Sequence, residues 1–311
     1  MTKDISVALG GGGIRGIAHI GVIRVLQDHG FNIKAIAGTS AGGIFGAAFA
    51  AGFSPKEVEE IAAKFSENPS FRRQSSDRPS LLGVDGVHKI LLELLGDKRI
   101  EDLQIPFVTT AVSIESGREI LIHNGKAVDA VLATIAIPGI LPSHELGGKV
   151  LMDGGVLDPV PVKAARWLDP SLPVVAVVLH KKPSNDDQSG SRLPFPIPGP
   201  SSIVEQITKL RLVEALNIFS RSVEVSTNRL SELNLVIDQP DITISPLVGH
   251  YNLLDKVNAA DLIKAGEEAA LQALPELEKA CSRTQSLKRT MKYRLMIKDK
   301  NLLLEDIQVL D

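Results

Sequence analysis

Apolar residues in the first half of the chain fall into two kinds of segment. Residues 5–9, 34–37, 106–114 and 173–179 are short, nearly continuous apolar runs, whereas residues 17–29 place apolar side chains three and four positions apart. Short apolar runs are typical of strands buried on both faces, and spacing of three and four is typical of amphipathic helices. Their alternation predicts parallel strands joined by helical crossovers.

The same criteria predict further elements along the chain. Ser54, Pro55 and Glu57 form a capped helix start, with serine as the cap, proline at the first position and glutamate at the third. Residues 118–123 follow the strand 106–114 after a short turn, which predicts a hairpin. Helices are predicted over residues 41–51, 55–66, 87–95, 128–137, 203–228 and 255–274, and late strands over 235–237 and 242–244.

Two segments show neither the apolar runs of strands nor the spacing of helices, and they divide the chain. Residues 67–86 are polar and interrupted by proline and glycine, which predicts a surface loop, with a flap over the site as the alternative. Residues 181–202 hold five prolines, which predicts a linker. The expected organisation is a catalytic domain over residues 5–180, this linker, and a mostly helical C-terminal extension of unknown role over residues 203–311.

A glycine-rich turn follows the first predicted strand. Its glycines at positions 11, 13 and 16 fit the spacing of a dinucleotide-binding loop. The second strand, however, ends at Gly38 without the acidic residue that would hold a ribose, and no Gly-Lys-Ser/Thr follows the turn as a P-loop requires. The remaining interpretation is a row of backbone N–H groups beside a helix start, which suits the oxyanion of acyl transfer.

The second strand runs into Gly38-Thr39-Ser40-Ala41-Gly42, a serine between a strand and a helix with glycine two positions to either side. This is the form of a nucleophile elbow. The glycines remove Cβ atoms that would clash in the sharp turn, and the helix start adds partial positive charge near an oxyanion. The alternative is an ordinary turn in which Ser40 caps the helix.

A candidate general base lies at the end of another predicted strand. Residues 149–153 lead into Asp153-Gly154-Gly155, where Asp153 is expected beside Ser40 and the two glycines leave room for substrate. The alternative is a plain turn. Among the seven histidines, His144 is the best candidate to complete a triad, although a structural histidine is the commoner case at such a position.

Composition narrows the class of protein. With 44% hydrophobic and 23% charged residues, a net charge of −3 and a pI near 6.2, the chain resembles ordinary globular proteins and gives no reason to expect nucleic acid. The single Cys281 excludes an intrachain disulfide and favours a reducing compartment. Residues 35–55 carry no charge, but their glycines and alanines favour a buried elbow and helix over a membrane span. We therefore expect a cytoplasmic protein, without a transmembrane segment, that contacts membranes peripherally.

Three motifs together resemble the patatin-like phospholipase family, in that family's order and spacing. They are Gly11-Gly12-Gly13-Ile14-Arg15-Gly16, Gly38-Thr39-Ser40-Ala41-Gly42 and Asp153-Gly154-Gly155, and RGIAHIGV (15–22) and IPGILP (137–142) resemble its bacterial branch. The resemblance covers roughly residues 5–180. It implies an α/β hydrolase of three layers, α/β/α, with a mainly parallel central sheet. It also implies a Ser–Asp dyad, with Ser40 as nucleophile and Asp153 as proton acceptor.

The resemblance also assigns the glycine loop. It implies that the backbone N–H groups of Gly11, Gly12 and Gly13 form the oxyanion hole and that Arg15 and Gly16 support this loop. Plant members carry aspartate immediately before the glycine triplet, where this chain has glycine. The resemblance implies neither a metal nor an organic cofactor.

The expected function is a serine acyl hydrolase that cleaves lipid carboxylic esters, phospholipid or lysophospholipid, through an acyl-Ser40 intermediate. The substrate is expected to come from a membrane surface or micelle, and no nucleic acid partner is expected. One alternative is an acyltransferase on the same fold, which differs only in the second acceptor. The other is a catalytically silent regulatory protein, against which the intact Ser40 and Asp153 argue. Headgroup preference, acyl-chain preference and oligomeric state stay open.

Overall fold

The computed structural model describes residues 3–67, 80, 82–179, 203–252, 255, 257–282, 284–285, 289, 291 and 307–310. Nine strands of this part form one mixed sheet. They are β1 (Lys3–Leu9), β2 (Phe31–Gly38), β3 (Phe107–Ser113), β4 (Glu119–Ile122), β5 (His144–Leu146), β6 (Lys149–Asp153), β7 (Val174–Val177), β8 (Ile242–Ile244) and β9 (Ile307–Leu310).

The sheet is mainly parallel at its centre. Its main path runs β5-β6-β3-β2-β1-β7-β8, while β4 pairs with β3 and with β9. The pairs β1–β2, β2–β3, β1–β7 and β7–β8 are parallel, whereas β3 is antiparallel to β4 and β6. The carboxyl ends of β1 and β2 therefore lie side by side, which is where an open α/β sheet places its site.

Helices cover both faces of the sheet. They are α1 (Ala18–Asp28), α2 (Ala41–Ala50), α3 (Pro55–Glu67), α4 (Asp85–Leu95), α5 (Ala127–Thr134), α6 (Val162–Leu168), α7 (Ile203–Asp238) and α8 (Ala259–Ala280). Alternate residues of β1 separate two cores: Val7 and Leu9 pack with α1, α2 and α8, whereas Ala8 packs with α6 and with Leu235 of α7. The predicted three-layer α/β/α architecture is thus confirmed.

Residues beyond the predicted linker pack directly on this sheet. Strand β8 pairs with β7, and α8 crosses α1 where Gly21 faces Gly266. A Cβ atom on either glycine would collide with backbone atoms of the other helix, so only glycine permits this close crossing. The linker itself lies outside the described residues, as does most of the predicted loop 67–86, and the proposed domain boundary therefore stays a prediction.

Most predicted elements are confirmed, including the hairpin of β3 and β4. At the start of α3, the Ser54 backbone N–H donates to Glu57 Oε2 at 2.8 Å and the Glu57 N–H donates to Ser54 Oγ at 3.3 Å, as a capping box requires. Strand β5 and strand β9 were not predicted from the pattern. Helix α8 begins four residues later than predicted, where the Asn258 side chain caps it, and continues through Pro275.

The strand predicted over residues 235–237 is wrong, because this segment is the last turn of α7. Leu235 alone packs on a core, while Val236 and Ile237 are 73% and 68% exposed. The helix is held to Asp238 by Arg166, whose guanidinium donates to the carbonyls of Asp238 and Gln239 at 2.6 and 3.0 Å. These bonds satisfy carbonyls that the end of a helix leaves without partners.

Candidate active site

Ser40 lies on the sharp turn between β2 and α2 with φ 53° and ψ −121°. Left-handed φ is unfavourable for a residue with a Cβ atom, and such strain is a feature of nucleophile elbows. The turn passes so close to β1 that a Cβ on Gly42 would collide with the Leu9 carbonyl, and one on Gly38 with the backbone of Gly42. Both motif glycines are therefore required by close approach.

The sheet brings Asp153 to this turn. Strand β3 pairs with β2 at Thr109 and with β6 at Ala111, opposite Asp153. As a result, the Ser40 hydroxyl donates to Asp153 Oδ2 at 2.6 Å, and the Gly155 N–H donates to Asp153 Oδ1 at 2.7 Å. Gly154 packs against Thr110 so closely that it leaves no space for a Cβ. The predicted pair therefore forms one hydrogen-bonded unit.

The carboxyl of Asp153 is almost entirely withdrawn from water, since the residue is 5% exposed. Burial raises the pKa of Asp153 from its ordinary value to about 6, against the hydrogen bonds from Ser40 and Gly155, which lower it. A carboxylate with this pKa is a stronger base than an exposed one and is still ionised at neutral pH. Its environment is therefore suited to accepting a proton from Ser40.

The glycine loop lies against the elbow. The Gly11 N–H donates to the Pro159 carbonyl at 2.9 Å and is thus engaged within the chain, while its part in an oxyanion hole stays a prediction. Among the described residues, no backbone acceptor is hydrogen-bonded to the N–H groups of Gly12 and Gly13, and both residues line the cavity in front of Ser40. Gly16 packs on Ala41, the first residue of α2, where a Cβ would collide.

The sequence model of the patatin-like phospholipase family matches residues 7–166, just over half of the 311 residues and all three motifs. The chain belongs to the patatin-like phospholipase family. It is 36% identical over 181 residues to an uncharacterized NTE family protein of Mycobacterium tuberculosis, covering 57% of this chain and 49% of that protein. A second such protein of the same organism is 29% identical over 285 residues, or 88% of this chain and 48% of the relative.

Lysophospholipase NTE1 of Yarrowia lipolytica is 34% identical over 169 residues, which are 53% of this chain and 12% of that protein. Of solved structures, VipD from Legionella pneumophila matches with a TM-score of 0.46 and 14% identity, covering 88% of this chain and 67% of VipD. This patatin-like chain spans about half the length of the mycobacterial relatives.

Arg15 ties the glycine loop of this patatin-like site to α7. Its Nε donates to the Gly12 carbonyl at 3.1 Å, and its Nη2 lies 3.2 Å from Glu224 Oε1. The side chain of Arg15 is 3% exposed, and burial lowers its pKa while Glu224 opposes that change. The predicted support of the loop by Arg15 thus depends on a carboxylate from the C-terminal part of the chain.

The cavity in front of Ser40 is narrow, at about 80 Å³. Its walls are mostly apolar, from Ile137, Pro138, Val156 and Val160, and Val223 of α7 closes one side. Polar groups come from the glycine loop and from Arg15, Ser40, Asp153, Glu224, Thr227 and Asn228. An apolar cleft with a few converging polar groups is the usual form of a site for an apolar ligand.

The structure does not bring His144 to Ser40. His144 lies on β5, and its Nε2 is 3.5 Å from Asp129 Oδ1. His19 is the histidine near the loop: its Nε2 is 2.8 Å from the Gly10 carbonyl, and burial lowers its pKa to about 4. Because a carbonyl only accepts, the neutral ring donates from Nε2 and holds the turn before the glycine triplet.

Several residues of the site gave no signal in the sequence. Thr134, at the end of α5, accepts a hydrogen bond from the Ser40 N–H at 2.9 Å. Thr39 bonds to Thr110 at 2.7 Å and donates to the Asp158 carbonyl at 3.0 Å, which fixes the elbow to β3. Their partners are 71 to 119 residues away in the chain, so no local pattern identifies them.

The described residues contain neither a cluster of metal ligands nor a membrane-spanning helix. No group of three or more His, Cys, Asp or Glu side chains is arranged to hold a metal ion there. Within the same residues, every helix is too short or too polar to cross a membrane. The uncharged residues 35–55 form the second half of β2, the elbow, α2 and the turn that leads into α3.

Proposed function

We propose that this chain is a serine acyl hydrolase that cleaves lipid carboxylic esters, with Ser40 as the nucleophile and Asp153 as the proton acceptor. The observation that carries the proposal is the 2.6 Å hydrogen bond from the strained Ser40 elbow to a buried carboxylate. A positioned base in contact with a hydroxyl is the arrangement that activates a serine.

In the acylation step, Ser40 Oγ attacks the ester carbonyl carbon as Asp153 Oδ2 takes the hydroxyl proton. The carbonyl π electrons move to the oxygen, and the backbone N–H groups of Gly12 and Gly13 are the proposed donors to that oxyanion. When the tetrahedral intermediate collapses, the bond from carbon to the alcohol oxygen breaks and Asp153 returns the proton to the leaving alcohol. The acyl group is left on Ser40.

Deacylation repeats these movements with water as the nucleophile. Asp153 removes a proton from the water as its oxygen attacks the acyl carbon, and the same donors hold the second oxyanion. The bond from carbon to Ser40 Oγ then breaks, the serine regains the proton, and the carboxylic acid leaves. Because Gly155 holds Oδ1 by a separate hydrogen bond, Oδ2 stays directed at Ser40 throughout.

Two observations support a lipid as the acyl donor. The walls of the cavity are mostly apolar, which suits an acyl chain better than a polar substrate group. One relative, 34% identical over 169 residues, bears the name lysophospholipase, and we therefore propose phospholipid or lysophospholipid as the substrate class.

The proposal is tested by hydrolysis of p-nitrophenyl esters of graded chain length and of lysophosphatidylcholine. We expect activity in the native chain and background rates in Ser40→Ala and Asp153→Asn. Ser6→Ala is the matched control, because Ser6 is a fully buried serine on β1 whose hydroxyl has no hydrogen-bond partner among the described residues. Full activity of Ser40→Ala would show that Ser40 is not the nucleophile. Ester formation with an added alcohol would favour the acyltransferase alternative.

A further inference from the structure

Helix α7 presents polar side chains to the body of the molecule. Among its described side chains, 218, 219 and 221–238, the inward ones include Glu224, Ser231, Asn234 and Asp238. Glu224 pairs with Arg15, Asn234 donates to the Leu157 carbonyl at 3.0 Å, and Asp238 lies 3.6 Å from Lys163 Nζ. The described part of the helix is thus held mainly by polar contacts.

The opposite face of the same helix is rich in exposed apolar side chains. We call this face the outer stripe. Its large apolar members are Ile218 (63% exposed), Phe219 (45%), Val225 (62%), Leu233 (44%), Val236 (73%) and Ile237 (68%).

This distribution is the reverse of that in an ordinary surface helix, which turns its apolar face inward and its polar face to water. The outer stripe extends for about 28 Å along the helix axis at the usual rise per residue. A row of exposed apolar side chains of this kind marks a site of association. Among the described residues, packing does not cover Ile218, Val225, Val236 and Ile237, which are each more than 60% exposed.

The position of α7 indicates what the outer stripe meets. Val223, Thr227 and Asn228, on the inner side of the helix, line the cavity that contains Ser40. A surface lying on the outer stripe is therefore separated from the catalytic cavity only by the thickness of one helix.

Arginines on the outer stripe suit a lipid surface. Arg221 and Arg229 are exposed among its apolar residues, and Arg229 pairs with Glu232 at 2.7 Å. Helices that lie in a membrane interface combine apolar residues with arginines that reach the headgroups.

We propose that the outer stripe of α7 is a docking face for a phospholipid surface, which presents substrate to the adjoining cavity. This inference rests on the proposed function, because a lipid hydrolase takes its substrate from such a surface, but docking and catalysis are separate events. Docking is measured on Ser40→Ala, which lacks the proposed nucleophile, so failure of one leaves the other standing.

The test is sedimentation of full-length Ser40→Ala with vesicles of phosphatidylcholine and phosphatidylglycerol. Adding Ile218→Ser, Val225→Ser and Val236→Ser is expected to weaken the partition at least about tenfold, because three exposed apolar side chains are lost. Leu271→Ser is the matched control: Leu271 is 47% exposed on α8, in the other helical layer, and its loss leaves the partition unchanged. Far-ultraviolet circular dichroism verifies that each variant is folded.

Two outcomes overturn the proposal. The first is that the triple variant sediments with vesicles as fully as its parent, or that the parent itself does not bind them. The second is a parent that is a dimer by analytical ultracentrifugation and that the triple substitution converts to a monomer, because a second copy then covers the outer stripe. A partition that falls with Arg221→Gln only when phosphatidylglycerol is present supports the assigned contact with headgroups.

Discussion

Replacing Asp153 with asparagine measures how much stability the fold loses by holding a carboxylate away from water. Asparagine keeps the shape of the side chain, can accept the hydrogen bond from the Gly155 N–H, and carries no charge. The pKa of Asp153 is about 6 in the folded chain, while its ordinary value is 3.8. The folded state therefore binds a proton more tightly than the unfolded state at this site.

The sign follows from linkage. Well below pH 4 the carboxyl is protonated in both states and has no effect on the free energy of unfolding, and at pH 4 the unfolded carboxyl is already partly ionised. As the pH rises from about 4 to about 6, the unfolded chain loses this proton first, so the native protein loses stability. Above that range the loss of stability is constant at about 3 kcal/mol, which is the free-energy equivalent of the difference between the two pKa values.

We therefore expect the stability of Asp153→Asn relative to the native chain to rise by about 2 kcal/mol between about pH 4 and about pH 8. Urea unfolding followed by circular dichroism at a series of pH values gives this difference directly. Other buried acids, such as Glu119 and Asp158, titrate in both proteins and cancel from the comparison. Ser40→Ala provides a second comparison: it removes a hydrogen bond to the carboxylate, raises the pKa of Asp153 further and enlarges the loss.

A difference between the two proteins that does not change with pH would refute this reasoning. It would mean that the Asp153 carboxyl is as well solvated in the folded chain as in the unfolded one. A relative stability that falls with rising pH would mean that hydrogen bonds to the carboxylate outweigh its burial.

Three further predictions follow from the site. The value of kcat/KM for ester hydrolysis should fall tenfold per pH unit well below about pH 6, because Asp153 accepts a proton only when ionised; a flat profile from pH 5 to 8 would contradict this. Gly42→Ala should lower the free energy of unfolding by more than about 2 kcal/mol in urea titrations, because its Cβ would meet the Leu9 carbonyl, and an unchanged value would show that the elbow has room. Glu224→Gln should lower kcat more than it raises KM, because Arg15 loses its partner and the glycine loop is less well held; equal kinetics at equal stability would remove Glu224 from the account.

The sequence predicted the parts of this site that depend on local backbone geometry. Glycines mark the elbow around Ser40 and the turn after Asp153 in the sequence, because a close approach or a sharp turn excludes other side chains. The parallel pairing of β1 and β2 was predicted in a similar way, since short apolar runs separated by a helical segment favour parallel strands. That Ser40 and Asp153 meet depends on β3, which pairs with both of their strands.

What the sequence did not predict depends on contacts between distant residues. The Gly11 N–H is hydrogen-bonded because the Pro159 carbonyl lies next to it. Arg15 is held by an ion pair with Glu224, more than 200 residues later in the chain. Val236 and Ile237 look like a strand by composition, whereas Arg166 holds them in a helix. The assignment of these side chains needs the tertiary structure, because no local pattern specifies their partners.

The most direct test of the central claim is to trap the acyl group. The native chain, Asp153→Asn and Ser40→Ala are each mixed with a p-nitrophenyl ester, quenched in acid, and analysed by intact-mass and peptide mass spectrometry. We predict one acyl group on the native chain, located on the peptide that contains Ser40, and none on Ser40→Ala. An acyl group on another residue, or turnover by Ser40→Ala at the native rate, would contradict the proposal that Ser40 and Asp153 carry out the reaction.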